Sequence, residues 1–186
     1  MDPVTIFLRA VDQTGRIVAG VNPDQYGLPT PCADWDVQAL LNHTIGAAEM
    51  FNTAARGGAF DMAPLQGDHV GDDPGAAYGK AAAELREAMG KPGVLEQTWH
   101  MPFGAVPGAI AVAIATVEAE QHGWDVARAT NQLADFDPEV AEAAMANARM
   151  MPPEQARQPG VFGPEVPCPS RAPVHDRLAA FLGRAV

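Results

Sequence analysis

Three polar side chains lie on one face of the most apolar helical segment of this sequence. Segment 108–130 opens with an almost continuous apolar run, yet its second half carries Glu118, His122 and Asp125. At about 100° per residue, these three side chains fall within about 60° of one another around a helix, while Glu120 lies on another side. A Glu and a His four residues apart on an inward face can reach one metal ion, and they also fit a buried ion pair.

A third metal ligand has to come from another helix, and His43 is the candidate. The segment from Leu40 to Ala47 has an apolar face at helical spacing, and His43 is in phase with that face. A single inward histidine is more often a hydrogen-bonded core residue, but the facing helices of a bundle are also where metal sites are built. The remaining histidines are expected at solvated positions in loops or near a helix start: His69, His100 and His175.

The candidate set of His43, Glu118 and His122 offers two imidazole nitrogens and one carboxylate. Three protein ligands with a fourth position left open is the arrangement of a catalytic Zn²⁺ site, and Ni²⁺ or Fe²⁺ accepts the same ligands. A metal with an open position can lower the pKa of bound water or hold a thiol in its deprotonated form. A di-iron carboxylate centre is excluded, because the sequence has no Glu-x-x-His motif.

Composition narrows the classes of partner. Twelve basic against twenty-three acidic side chains give a formal net charge of −11, which disfavours nucleic acid and anionic membrane surfaces. No apolar stretch approaches the ~20 residues of a membrane span, and the first residues do not resemble a signal peptide. We therefore expect a soluble cytoplasmic protein in which Cys32 and Cys168 are ordinary thiols without a disulfide between them. The basic residues are almost all arginine and alanine is abundant, which is typical of a GC-rich genome.

The elements that must position the candidate ligands are predicted to be helices joined by connections rich in Gly and Pro. Asp-Pro pairs and glycines mark helix ends, and they predict helices over 3–20, 34–56, 74–89, 108–130, 137–151 and 174–184. The connections are expected at 57–74, 93–107 and 152–173, and the first of them is open to a role in covering the site. Trp35 and Trp124 are expected to be packing residues. The sequence predicts an all-α bundle in a single domain, residues 1–186.

Two signatures in the sequence resemble a known family. The first is Leu-Pro-Thr-Pro-Cys-Ala-Asp-Trp-Asp-Val-Gln-Ala-Leu-Leu-Asn-His at 28–43. The second is His-Gly-Trp-Asp-Val-Ala-Arg-Ala-Thr at 122–130, preceded by the acidic Glu118. Together with the Pro- and Gly-containing stretches at 102–108 and 162–167, they resemble the DinB/YfiT-like metalloprotein superfamily over nearly the whole chain. The branch they resemble contains the N-terminal domain of mycothiol-dependent maleylpyruvate isomerase.

The resemblance implies a four-helix core that holds a divalent metal, usually zinc, with short additional helices near the C-terminus. The family ligands map onto His43, Glu118 and His122. A low-molecular-weight thiol, mycothiol or bacillithiol, is implied as co-substrate, and mycothiol suits the GC-rich composition. Asp125 is a candidate for supporting an imidazole from outside the ligand set, or for pairing with Arg128.

The leading functional hypothesis is a metal-dependent mycothiol S-transferase or isomerase that acts on small electrophiles. The chain lacks the second domain of the longer isomerase, so isomerisation of maleylpyruvate itself is not expected. Two other classes remain open, a hydrolase that uses metal-bound hydroxide and a non-enzymatic metal-binding module of a stress response. The expected partners are a small-molecule thiol and an electrophile, without nucleic acid or membrane, and a homodimer is left open.

Overall fold

The computed structural model is a helical bundle with one small hairpin. It describes residues 2–33, 35–59, 61, 63–101, 103–133, 136–152, 157 and 162–186. The helices are α1 (Pro3–Ala19), α2 (Val37–Ala55), α3 (Pro74–Met89), α4 (Gly108–Thr130), α5 (Pro138–Met150) and α6 (Val174–Phe181). Short 3₁₀ turns lie at Pro23–Gln25 and Ala63–Gln66, and the strands are β1 (Thr98–Met101) and β2 (Gly104–Pro107). The all-α bundle predicted from the sequence is confirmed.

Aspartate side chains begin the helices where the Asp-Pro pairs predict. The carboxylates of Asp2 and Asp73 accept hydrogen bonds from backbone N–H groups one turn into α1 and α3, and each is followed by a proline at the first helical position. Asp137 begins α5 in the same way. At α2 the capping residue is Asp36, whose carboxylate accepts from the N–H of Ala39 at 2.8 Å, so α2 begins later than predicted. Asp34, the predicted start of this helix, lies outside the described residues.

The prediction of a loop over 93–107 is wrong for its second half, where β1 and β2 form an antiparallel hairpin. Pro107 is compatible with a hairpin because it is the last residue of β2, and Pro102 lies outside the described residues. Gly104 follows the turn with a φ of 122°, which favours glycine. Trp99 is fully buried and fixes the hairpin to the bundle.

Helix α4 lies in the middle of the molecule, which explains its apolar composition. It packs against α1 and α2 on one side and against α5 and α6 on the other. The main core lies among α1 to α4, and a second cluster, which includes Val117, Met145 and Leu178, lies between α4 and the two later helices. Because α4 is enclosed by partners on both sides, those of its polar side chains that are buried must find polar partners inside the protein.

The connection at 57–74 is tied to α2 in its described part. The Asn42 side-chain oxygen accepts from the backbone N–H groups of His69 and Val70, at 2.6 and 3.0 Å. Val70 is buried. Gly46 lets the Pro64 carbonyl approach, because a Cβ at this glycine lies only 2.1 Å from that oxygen. Asn42, the residue before His43 in the sequence, therefore anchors this connection to the bundle.

The contact between α1 and α4 depends on Gly123. A Cβ at this position lies 2.7 Å from the Thr14 hydroxyl oxygen, which donates to the Ala119 carbonyl at 2.8 Å. We expect Gly123→Ala to lower the free energy of unfolding by about 1–3 kcal/mol, the usual cost of overpacking. Gly79→Ala is the control, because Gly79 lies in α3 with open space around it and should stabilise by about 0.5–1 kcal/mol. Denaturant unfolding measures both, and equal effects would contradict the close contact.

Candidate metal centre

Three side chains from two helices converge at one point of the bundle. The Glu118 carboxylate oxygen Oε2 lies 3.2 Å from His122 Nε2 and 3.7 Å from His43 Nε2. One ligand atom from each of the three residues lies within 4.8 Å of the other two. Helix periodicity brings Glu118 and His122 onto one face of α4, and the packing of α2 against α4 brings His43 opposite them.

The ligand cluster is partly open to solvent on one side. The His122 side chain is only 9% exposed, whereas those of His43 and Glu118 are 20% and 27% exposed. The Trp35 ring lies 4.5 Å from the His43 ring and 5.9 Å from the His122 ring, measured between centroids. Trp35 is therefore a packing residue, as predicted, and the surface it packs on is formed by the two imidazole rings. The exposed part of the cluster lies toward His43 and Glu118.

The spacing of the cluster suits a small divalent ion. For metal–ligand distances of about 2.0–2.2 Å, the ligand atoms of a tetrahedral site lie about 3.3–3.6 Å apart. The two distances from Glu118 Oε2, 3.2 and 3.7 Å, lie close to this range. The third separation, between the ligand atoms of His43 and His122, is at most 4.8 Å. The assignment of these residues as metal ligands remains a prediction, with which the geometry is compatible.

The charged groups of the cluster stabilise each other's ionised forms. Burial raises the pKa of Glu118, but the close contacts of its carboxylate with His122 and His43 outweigh burial and hold that pKa well below its usual range. Burial lowers the pKa of His122, but its contacts with Asp125 and Glu118 outweigh burial and raise the pKa to about 9. At neutral pH and without metal, Glu118 is therefore a carboxylate and His122 an imidazolium.

The protonated state of His122 predicts a pH dependence for metal binding. A histidine must lose its ring proton to act as a ligand, so a metal that binds near neutral pH displaces one proton from His122. Because the pKa of His122 is raised to about 9, we expect metal affinity to rise about tenfold per pH unit between pH 6 and 8. Calorimetric titration with Co²⁺ in two buffers of different ionisation enthalpy measures the proton release. An affinity independent of pH would contradict this assignment.

Asp125 supports His122 from the buried side of the cluster. Its carboxylate is completely buried, and Oδ2 lies 3.3 Å from His122 Nδ1 in an approach less well aligned than a full hydrogen bond. The sequence also allowed this carboxylate to pair with Arg128. Arg128 is exposed, and Asp125 instead pairs with Arg184 at 3.2 Å. Sequence reasoning missed Arg184, because nothing in its short C-terminal segment indicates contact with α4.

The other histidines lie apart from the ligand cluster, but two of them are less exposed than predicted. The side chain of His69 is only 16% exposed and lies 3.5 Å from the Glu49 carboxylate. The side chain of His175 is 15% exposed and packs on the ring of Phe136. The prediction that these two are solvated is therefore wrong, because the connection at 57–74 and helix α6 both pack on the bundle. His100 is exposed, as predicted, but it lies in β1 rather than in a loop.

The fold and the cluster together define a class of protein, a helical bundle with a His–Glu–His set between two of its helices. Residues 7–127 match the family model described as the mycothiol maleylpyruvate isomerase N-terminal domain. The match covers more than half of the chain, and it contains all three members of the ligand cluster. This protein belongs to that family.

Two uncharacterised proteins of Mycobacterium tuberculosis, from strains CDC 1551 / Oshkosh and ATCC 25618 / H37Rv, are full-length relatives. Each is 38% identical over 187 residues, which cover 100% of this chain and 100% of the relative.

Among solved structures, the fold is similar to that of a mycothiol-dependent maleylpyruvate isomerase. The TM-score is 0.59 at 14% identity, over 78% of this chain and 66% of the isomerase chain. A variant of that isomerase with one histidine replaced by alanine gives a TM-score of 0.58 at 13% identity, with the same coverage. At this identity the likeness extends to the fold alone, and it spans just under two thirds of the isomerase.

Across the described ranges, none of the helices has the length and apolar character that a membrane span requires. Neither Cys32 nor Cys168 is part of a disulfide bond.

Proposed function

We propose that this protein, as a single domain, is a metal-dependent mycothiol S-transferase or isomerase that acts on small electrophiles. The observation that carries the proposal is the convergence of His43, Glu118 and His122 with one side left open. Family membership supports a thiol co-substrate, because both the family model and the structural neighbours are described by their use of mycothiol. Zn²⁺ suits the two nitrogens and one oxygen best, and Ni²⁺ or Fe²⁺ is an alternative.

When bound, such an ion supplies positive charge that keeps a thiol in its nucleophilic thiolate form at neutral pH, where a free thiol is only a few per cent ionised. The protein's own part is to hold three ligands in place and leave one position accessible. His122 is fixed on its buried side by Asp125, and His43 is fixed by the Trp35 ring. These supports keep both imidazoles directed at the cluster.

The space around the cluster sets the direction from which a thiol can approach. An apolar cavity behind Glu118 and His122 extends toward Phe7 and Phe51, and its volume of about 20 Å³ is little more than one water molecule needs. Mycothiol does not fit there. The co-substrate must therefore approach from the solvent side, past the exposed parts of His43 and Glu118.

Conjugation of mycothiol to monochlorobimane tests the proposal. The thiol sulfur forms a bond to the probe's methylene carbon, chloride leaves with the bonding electron pair, and the thiol proton passes to solvent. We expect the fluorescent conjugate to form faster than in the reaction without protein only when protein, Zn²⁺ and mycothiol are all present, at a rate that falls when the metal is chelated. A rate equal to the reaction without protein would overturn the proposal. Turnover of ester substrates without a thiol would favour a hydrolase, and metal binding without turnover a binding module.

A further inference from the structure

Asp125 is held in place by more than its own helix. The Gln121 amide donates to Asp125 Oδ1 at 3.1 Å from one turn earlier in α4. The Arg184 guanidinium donates two hydrogen bonds to the same carboxylate, from Nη2 to Oδ2 at 3.2 Å and from Nε to Oδ1 at 3.4 Å. Two-pronged contacts of this kind fix the orientation of a carboxylate as well as its charge. Oδ2 is also the oxygen that faces His122 Nδ1.

Arg184 is itself buried and constrained, although it is the third residue from the end of the chain. Its side chain is only 7% exposed, and its Nη1 donates to the Leu182 carbonyl at 3.0 Å. The guanidinium lies over the Phe162 ring at 5.8 Å. The preceding Gly183 has a φ of 91°, and a Cβ there lies 2.6 Å from Gly163, so the turn that directs Arg184 inward requires a glycine.

We propose that Arg184 is a positioning residue for the metal centre. It orients Asp125, whose Oδ2 lies 3.3 Å from His122 Nδ1, and this contact directs His122 Nε2 at Glu118 and the ion. Which nitrogen of a histidine binds a metal is set by the hydrogen bond that the other nitrogen makes. The C-terminal segment 162–186 thus completes a site whose ligands lie much earlier in the chain.

Two observations favour this role over simple packing. An arginine buried against a buried carboxylate compensates a charge that is otherwise costly, and here that carboxylate touches a candidate ligand rather than an inert part of the core. Arg184 also lies outside residues 7–127, where the family model matches, so the role is inferred from the contacts of this chain. The inference depends on the metal-binding part of the proposed function, and not on the identity of the thiol.

Arg184→Met and Arg184→Lys test the inference, with Arg171→Met as the control because Arg171 is an exposed arginine of the same segment. We expect Arg184→Met to weaken Co²⁺ binding about 10–100-fold, the range typical of residues that support metal ligands. Arg184→Lys keeps the charge but loses the two-pronged contact, so it should bind Co²⁺ with intermediate affinity. Arg171→Met should bind as the wild type does. Visible absorption of the Co²⁺ complex measures all four proteins, and circular dichroism checks their folding.

A second readout needs no metal. In the metal-free wild type, we expect the Nδ1–H proton of His122 to be a slowly exchanging NMR signal, and Arg184→Met to lose it. If wild-type protein binds no Co²⁺, the proposed function fails while this signal still tests Arg184. If Arg184→Met does not fold, Arg184→Lys decides, since weaker binding supports the inference and unchanged binding overturns it. Wild-type affinity together with an unchanged His122 signal in either folded variant overturns it as well.

Discussion

Replacing His122 by alanine is expected to abolish metal retention and the conjugation activity together. His122 offers one of the three candidate ligand atoms, and its Nε2 lies 3.2 Å from the Glu118 carboxylate. Without it only two ligands remain, so the loss of affinity should exceed the roughly 10–100-fold effect of residues that merely support ligands. Metal content after dialysis and the rate of thiol conjugation measure the two losses.

The matched control is His100→Ala, since His100 is an exposed histidine in β1. It should keep both metal and activity. His43→Ala should behave like His122→Ala, because His43 contributes the ligand from the facing helix α2. If His43→Ala and His122→Ala both conjugated the thiol at the wild-type rate, the metal-dependent mechanism would be excluded.

Replacing Glu120 by glutamine is expected to stabilise the protein at neutral pH. Glu120 is completely buried, accepts one hydrogen bond from the Gln13 amide at 2.6 Å, and its other oxygen has no hydrogen-bond partner among the described residues. The same Gln13 amide accepts from the Asp137 N–H at 2.7 Å, which fixes its orientation. Burial raises the pKa of Glu120 to about 8, opposed by the Gln13 hydrogen bond and reinforced by the Asp137 charge. Folding therefore protonates this carboxyl group.

The sign of the effect follows from that shift. In the unfolded chain the carboxyl group ionises near its ordinary pKa of 4.5, whereas in the folded protein it keeps its proton up to about pH 8. The free energy of unfolding therefore falls between these two pH values, by about 3 kcal/mol at pH 7. Glu120→Gln removes this pH-dependent decrease in the free energy of unfolding, because glutamine does not ionise.

Denaturant unfolding between pH 5 and 8 measures the effect of Glu120→Gln. The increase in the free energy of unfolding relative to wild type should be largest at pH 7 to 8 and small at pH 5. Glu142→Gln removes the same charge from an exposed position of α5 and should give no such gain. A Glu120→Gln variant with the wild-type dependence on pH would show that Glu120 is ionised in the folded protein.

Helical periodicity predicted the part of the site that lies within single helices. The face shared by Glu118, His122 and Asp125 follows from residue spacing alone, and so does the opposite placement of Glu120. The inward direction of His43 follows from its phase with the apolar residues of α2. How close His43 comes to α4 depends on how the two helices pack, and spacing along the chain contains no such information.

The parts that the sequence did not predict depend on contacts between distant segments. The hairpin of β1 and β2 is stable because two short strands pair with each other and Trp99 is buried beneath them, while the local pattern of prolines and glycines is also typical of a loop. The His69 side chain is only 16% exposed because Asn42 holds its connection to α2. Arg184 reaches Asp125 across 59 residues, and neither residue indicates the other in the sequence.

The metal content of the purified protein decides whether His43, Glu118 and His122 bind a metal ion. Elemental analysis by inductively coupled plasma mass spectrometry, on protein prepared without chelators and after dialysis against added Zn²⁺, counts ions per chain. We expect one tightly held divalent ion per chain in the wild type, and none in His43→Ala. A wild-type protein that holds no ion in either preparation would show that His43, Glu118 and His122 form only a hydrogen-bonded cluster.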